Sequence, residues 1–389
     1  MNFQFTEEQN QLRDLLDRFL AKEYAFEARR EIVKAAPGFS RAIWGKFAEL
    51  GLLGMTLPEA HGGLGGGAVD SLIVMEAFGR GLVVEPYLST VLLCGGLLRD
   101  AGNDAQKSQW LTAIAAGERL LAFAHYEPES RYELHHIATK AERRAGGSYV
   151  LSGRKTVVQH GGSADALIVS ARTSGDVYDR DGISLFVVDA AAQGVKRRDY
   201  PTQDGQRAAE IVLENVSVGE GARVGADGKA LPAIERAVDF AIAALCAEAV
   251  GCMSALNAQT FDYAKTRKQF GVPIGKFQVL QHRMADMFIH TEQARSMAYL
   301  AAVKSHDEDE LERRRAISAA KALVGQSARF VGQQAVQLHG GMGVTDELAV
   351  SHHFKRLTAI NVTFGDADYH VGRFSDQLAP WAGRDGARG

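Results

Sequence analysis

From Leu231 to about Phe270 the sequence keeps helical character without a break, and at about 1.5 Å per residue a helix of about 40 residues is close to 60 Å long. A helix of that length needs neighbours along its whole course, because helical stability in water comes mainly from packing an apolar face. The chain supplies them. Gly271 and Pro273 stop the run, and Phe277 to about Ser305 reads as a second helix. The charged stretch HDEDELERRR (His306 to Arg315) reads as a solvated turn, Ala316 to Leu338 as a third helix, and a final helix is expected near Asp366. Long helices joined by short turns predict an up-and-down four-helix bundle.

The other half of the chain has two textures. Thr6 and Gln9 have the spacing of a capping box, and Leu12, Leu15, Leu16, Phe19 and Leu20 follow at helical intervals, so the chain opens on an amphipathic helix. Helical patterns continue to about residue 118, broken by the glycine-rich LPEAHGGLGGGAVD (Leu57 to Asp70). That break follows a helix, not a strand, which argues against a dinucleotide loop of the strand–turn–helix kind. From about 121 to 218 the runs YVLSGRKTVV, ADALIVSAR, ISLFVVDA and AAEIVLENVSV are short, β-branched and punctuated by Gly, Asp and Ser, which predicts a β-barrel or sandwich. The expected fold is mostly α with a central β-domain: an N-terminal helical domain (1–120), a middle β-domain (121–226) and a C-terminal helical bundle (227–389).

Composition narrows the function. No apolar run reaches the roughly 20 residues needed to span a bilayer, so no membrane insertion is expected. The opening MNFQFTEEQNQL has no basic stretch followed by an apolar one, does not read as a signal peptide, and leads to the expectation of a cytoplasmic protein. A formal charge of -3 with no long block of like charge gives no footprint for nucleic acid. Cys94, Cys246 and Cys252 sit in apolar contexts without metal or redox spacing and are expected to be buried free thiols. His352, His353 and His370 lack ligand spacing; no metal site is expected, and the three are read as surface or interface histidines.

The order of helices, β-domain and helical bundle, together with the motifs LPEAHGGLGGG, TRKQFGVPIGKFQ and QLHGGMGV, resembles the acyl-CoA dehydrogenase family over nearly the whole chain. The resemblance implies FAD as cofactor, held between the β-domain and bundle of one subunit and the bundle of a neighbour. It also implies oxidation of the Cα–Cβ bond of an acyl-CoA thioester, in which a base removes the α-proton and the flavin takes the β-hydride. In TRKQFG, Arg267 matches the position whose guanidinium reaches the flavin pyrophosphate across the interface, with Phe270 beside it; a fixed fork of N–H donors suits phosphate. The alternative for Arg267 is an exposed base near a helix C-terminus. In QLHGG, Gln337, Gly340 and Gly341 match positions that contact adenosine and ribose, with a simple helix cap at Gly340 as the alternative. His339 receives no role.

The same comparison exposes losses. The family's usual base is a Glu in a Tyr-Glu-Gly-Thr segment, and the matching stretch here is Thr363, Phe364, Gly365, Asp366, with Phe364 in the place of the Glu. Other members carry the base early in the first long C-terminal helix, one residue before an Arg, where this chain has Ala241 and Ile242. Asp366 and Asp239 are the nearest substitute carboxylates. Asp366 reads rather as the start of the last helix, and Asp239, about 200° around a helix from Ala241, would face away. The family's Thr-Glu-Pro-Gly-x-Gly-Ser-Asp reads as YEPESRYE (Tyr126 to Glu133), and its Trp-Ile-Thr over the flavin ring as Val157, Val158 and Gln159.

These losses fall on the ring and substrate side of the cofactor, while the pyrophosphate and adenosine side survives. In a homotetramer every flavin needs both halves from one sequence; in an α2β2 complex one chain can supply the catalytic half and the other only the cross-interface half. The chain is most similar to the small subunit of the pimeloyl-CoA dehydrogenase type, and more broadly to paired subunits acting on dicarboxylyl or steroid side-chain CoA esters. The resemblance implies an acyl-CoA substrate, a paralogous partner subunit or self-assembly as a tetramer, and an electron-transfer flavoprotein or similar acceptor. Two other readings stay open: a non-catalytic structural partner, and a different flavin oxidoreductase on the same fold.

Overall fold

The computed structural model describes residues 5–385, and their side chains as far as residue 378. Within these, the N-terminal helices are α1 (Glu7–Glu23), α2 (Phe26–Lys34), α3 (Arg41–Glu49) and α4 (Ala68–Gly81). A π-helical stretch, Tyr87–Gly95, runs into α5 (Gly96–Ala101), and a second one, Lys107–Leu111, links α6 (Asp104–Gln106) to α7 (Thr112–Ala115). Eight strands follow: β1 (Leu121–Ala124), β2 (Lys140–Arg143), β3 (Tyr149–Gln159), β4 (Ala166–Arg172), β5 (Ile183–Asp189), β6 (Val195–Pro201), β7 (Arg207–Val218) and β8 (Arg223–Val224). The C-terminal part holds α8 (Leu231–Thr266), a small hairpin of β9 (Lys268–Gln269) and β10 (Val272–Pro273), then α9 (Gln278–Lys304), α10 (Glu310–His339), α11 (Ala349–Val362) and α12 (Ala367–Asp385).

The chain divides into two compact units. One takes residues up to 31, 68–83 and 242 onward; the other takes 32–67 and 84–241. The N-terminal helices are therefore shared out, with α1 and α4 in the helical unit and α3 and α5 to α7 with the strands.

In the β-containing unit the hydrogen-bonded order is β6-β7-β3-β2-β4-β5-β8, with β1 pairing in parallel beside β4. One face of this sheet buries Tyr149, Leu151, Leu167, Val169, Phe186, Val188, Ile211 and Leu213 in a common core. Those residues alternate along their strands, as a half-buried pleated surface requires. A register shift against β7 between Lys155 and Val158 places a bulge in β3, and there Val157 is turned outward.

In the helical unit α10 packs against α9, α11 and α12. The capping box at Thr6 and Gln9 starts α1 as expected. Three readings of the C-terminal part are corrected. First, the charged 306–315 stretch is only partly a turn: the Asp309 carboxylate accepts from the N–H groups of Leu311 and Glu312 at 2.9 and 3.2 Å, and α10 begins at Glu310. Second, α8 stops at Thr266 and not near Phe270. The Thr266 hydroxyl bonds back to the carbonyls of Asp262 and Tyr263, and the next residues make the β9–β10 hairpin. Third, α11 intervenes before the last helix; its N-cap residue, Leu348, makes no side-chain cap, so no local signal announces it.

Helix α8 is apolar enough over an 18-residue window to pass as a bilayer span, which the absence of a long apolar run had excluded; 94% of that window is buried in the protein. Within the helical unit it crosses α4 at close range. A Cβ on Gly79 would lie 2.0 Å from the Glu248 carbonyl oxygen, and one on Gly251 would lie 2.0 Å from that of Glu76. The two backbones touch through this glycine pair, and Cys252 Sγ donates to the Gly79 carbonyl at 3.2 Å. Around the crossing, Glu248 holds Arg356 of α11 through two hydrogen bonds of 2.6 and 2.8 Å, and Glu76 pairs with Arg295 of α9. Gly251→Ala is expected to force the helices apart and cost on the order of 3 kcal/mol, the upper end of overpacking penalties, read as a fall in the unfolding midpoint. Ala249→Gly on the same helix is expected to cost only about 1 kcal/mol beyond its small packing loss.

Candidate functional site

The two C-terminal motifs meet in the helical unit. The hairpin after α8 has two central residues, Phe270 and Gly271, both with positive φ (52° and 80°), as primed two-residue turns require. The turn holds the Phe270 ring 92% exposed, 6.0 Å from Phe277 and edge-on to it. Arg267 sits at the hairpin base. Its N–H donates to the Tyr263 carbonyl and its carbonyl accepts from Ile274, both at 2.8 Å. Its side chain is exposed and has no hydrogen-bond or ion-pair partner among the described residues.

The end of α10 lies alongside. Tyr263 stacks on His339 with ring centroids 4.4 Å apart and 26° between planes. Gly340 has φ +62° and ψ −143°, a conformation open to glycine and little else. A Cβ on Gly340 or Gly341 would meet nothing within 4 Å, so the two glycines are not there for packing inside the chain. Gly343 differs, since a Cβ there would fall 2.6 Å from the Val336 carbonyl oxygen. Gln337, Gly340 and Gly341 are exposed, as are Met342 and Val344. A guanidinium and a side-chain amide without partners among the described residues, an exposed aromatic ring and bare glycine backbone thus lie on two adjoining elements. Together they present donors suited to a pyrophosphate and a sugar edge.

The β-domain segments are built differently. Glu127, in YEPESRYE, is buried, and its carboxylate accepts from Lys155 Nζ at 2.8 Å and from the N–H groups of Thr139 and Ala138 at 2.9 and 2.7 Å. Lys155 Nζ also donates to the His125 carbonyl and to Ser170 Oγ at 3.0 and 3.1 Å. Burial alone would raise the Glu127 carboxyl, but the Lys155 charge and the donors around it hold it below its ordinary range. Burial pushes the Lys155 ammonium down to about 8 in spite of Glu127. The one fully retained acid of the motif is therefore an internal strut joining β1, β3 and β4. Arg131, which stands where the family pattern has glycine, has a positive φ of 47°. Val157 is 55% exposed at φ +50°, an uncommon conformation for a β-branched residue, and Val158 points into the core.

The segment Thr363 to Asp366 is pinned from inside. Lys321 Nζ donates to the carbonyls of Ile360, Asn361 and Gly365 at 2.9, 2.8 and 2.6 Å, and His370 Nε2 donates to the Phe364 carbonyl at 3.0 Å. Asp366 accepts from the Tyr369 N–H at 2.8 Å, which is the helix-start role read for it in the sequence. Ala241 and Ile242 are fully buried, and Asp239 is buried with partners of its own. The expectation of surface histidines is corrected for two of three: His353 and His370 are 2% and 0% exposed, because each faces the inside of its helix packing, and only His352 is half-buried. All three cysteines are buried and free, and burial pushes the Cys246 thiol up to about 12.

The chain is mostly helical with a central β-domain. Family models place it further: the N-terminal, middle and C-terminal domains of acyl-CoA dehydrogenase match residues 6–118, 122–216 and 231–378. The chain is 31% identical over 374 residues to a probable acyl-CoA dehydrogenase of Bacillus subtilis, YngJ, covering 95% of this chain and 97% of that protein. The ChsE4-ChsE5 complex from Mycobacterium tuberculosis matches with a TM-score of 0.86 at 27% identity, over 97% of this chain and 99% of that one. The FAD complex of PigA matches with a TM-score of 0.89 at 25% identity, over 97% and 99%. The chain belongs to the acyl-CoA dehydrogenase family and has its FAD-binding fold.

Two outcomes follow from the buried charges. Lys155→Met leaves Glu127 buried without its cation and is expected to cost about 3–5 kcal/mol, whereas combining it with Glu127→Gln should recover more than half in chemical denaturation, since no lone charge is left inside. Burial pushes the imidazoles of His125, His353 and His370 down to about 3 from 6.5. Between those values the unfolded chain binds more protons than the native one, so stability is expected to fall as pH drops from about 6.5 towards 3. Melting temperature against pH reads this out, and His353→Gln should flatten that limb.

Proposed function

We propose that this chain is the flavin-bridging subunit of an acyl-CoA dehydrogenase whose ring, substrate and base sites are carried mainly by a paralogous partner. When bound, FAD supplies the hydride acceptor for α,β-dehydrogenation of an acyl-CoA thioester. The part of this chain is to hold the far end of that cofactor: the Arg267 guanidinium on the pyrophosphate, Phe270 against it, and Gln337, Gly340 and Gly341 along the adenosine and ribose. The observation that carries the reading is an asymmetry. On the bundle the matched residues are exposed, and the Arg267 side chain has no intrachain bond among the described residues. On the β-domain and at the two base positions the matched residues are replaced, or are engaged inside the chain as Glu127 and Asp366 are.

The match to a two-component complex, ChsE4-ChsE5, supports a paired assembly. Asp366 is not proposed as the base, because one of its carboxylate oxygens is committed to the start of α12. The substrate class is a dicarboxylyl or steroid side-chain CoA ester, and the electrons pass to an electron-transfer flavoprotein or a similar acceptor.

Co-purification with the product of an adjacent dehydrogenase-like gene tests the reading. The complex is expected to hold flavin and to bleach with acyl-CoA, and Arg267→Ala in this chain should cut the retained flavin at least tenfold. Bleaching by this chain alone, or unchanged flavin in the Arg267→Ala complex, would sink it.

A further inference from the structure

His339 lies within QLHGG, yet it does not lie on the open edge. It is 5% exposed, its Nδ1–H donates to the Ala335 carbonyl one turn back at 2.8 Å, and burial holds the ring below its ordinary pKa. What it touches is the other motif. Its ring stacks on Tyr263 at 4.4 Å, and the Tyr263 hydroxyl donates to the His339 carbonyl at 3.5 Å, at the upper limit for a hydrogen bond. Tyr263 in turn accepts the Arg267 N–H through its carbonyl, and Arg267 closes the hairpin through Ile274. A continuous path of short contacts thus runs from Gly340 through His339 and Tyr263 to Arg267. The chain separates these residues by most of α9 and α10, so no local backbone geometry sets their distance.

We infer that His339 is a positioning residue: its stack on Tyr263 sets the spacing between Arg267 and the Gln337–Gly341 helix end, so that one dinucleotide can engage both. This rests on the bridging-subunit reading and deepens it. The stack, and not the hydrogen bond to Ala335, is the working contact, because that bond ties His339 to its own helix, while the ring reaches the other element. Gly343 is consistent with this packing, since a Cβ there would come within 3.0 Å of His339 Cβ.

The test uses the co-purified complex with FAD as the probe and measures its dissociation constant by titration into the flavin-stripped complex, with the melting temperature of the stripped complex alongside. His339→Phe keeps a ring and loses the donor, and is expected to bind FAD within threefold of the unaltered complex. His339→Asn keeps a donor and loses the ring, and is expected to weaken FAD binding about tenfold, which corresponds to about 1.4 kcal/mol, with the melting temperature of the stripped complex moved by no more than in His339→Phe. Equal FAD affinity in His339→Asn and the unaltered complex, while Arg267→Ala releases the flavin, overturns the positioning role and leaves the bridging reading intact. If Arg267→Ala also keeps its flavin, the bridging reading fails, and the positioning role with it. A loss of affinity in both His339 variants that tracks a common fall in melting temperature overturns the inference in favour of general packing.

Discussion

The close crossing of α4 and α8 is the contact on which the helical unit depends. Gly79 and Gly251 each stand where any larger residue would collide with the carbonyl oxygen of the other helix, and the two backbones meet at a separation that side chains do not permit. Everything attached to the outer part of α8 inherits its position from that crossing. The Glu248–Arg356 and Glu76–Arg295 pairs fasten α11 and α9 around it, and α8 then runs on to Thr266, where it delivers the Arg267 hairpin. Buried ion pairs contribute little net stability by themselves, but they fix which helices meet and in what register.

The β-containing unit shows a second use of buried charge. Glu127 and Lys155 are 28 residues apart in sequence, and between them they satisfy two backbone N–H groups, a backbone carbonyl and the Ser170 hydroxyl. That network gives Glu127 a structural role, since removing its carboxylate would strand a buried ammonium. Val157, beside the bulge in β3, and Arg131 both have positive φ, at 50° and 47°.

In a family whose cofactor needs two faces, the contrast between the halves of this chain is chemical as well as evolutionary in appearance. Arg267, Phe270, Gln337, Gly340 and Gly341 turn a guanidinium, a ring, an amide and bare backbone outward. Phe364, Ala241, Val157 and Val158 offer no proton acceptor, and the 363–366 segment is held by Lys321 and His370 from within.

What the sequence determined by itself was whatever depends on period and on local chemistry. The helical and alternating patterns gave the bundle and the β-domain, the Thr6–Gln9 spacing gave the first cap, the preference of a carboxylate such as Asp366 for a helix start gave the last, and the motif residues gave the family. The tertiary structure decided the rest, because those properties are set by partners distant in the chain. Glu127 reads alike as a functional acid or a strut until Lys155 is placed against it, and His339 reads as a spare residue until Tyr263, 76 positions away, is stacked on its ring. The burial of His353 and His370, the start of α10 inside a charged stretch, the uncapped α11 and the hairpin that replaces the end of α8 were illegible for the same reason. Each is fixed by which surfaces meet, and single-sequence periodicity carries no record of that.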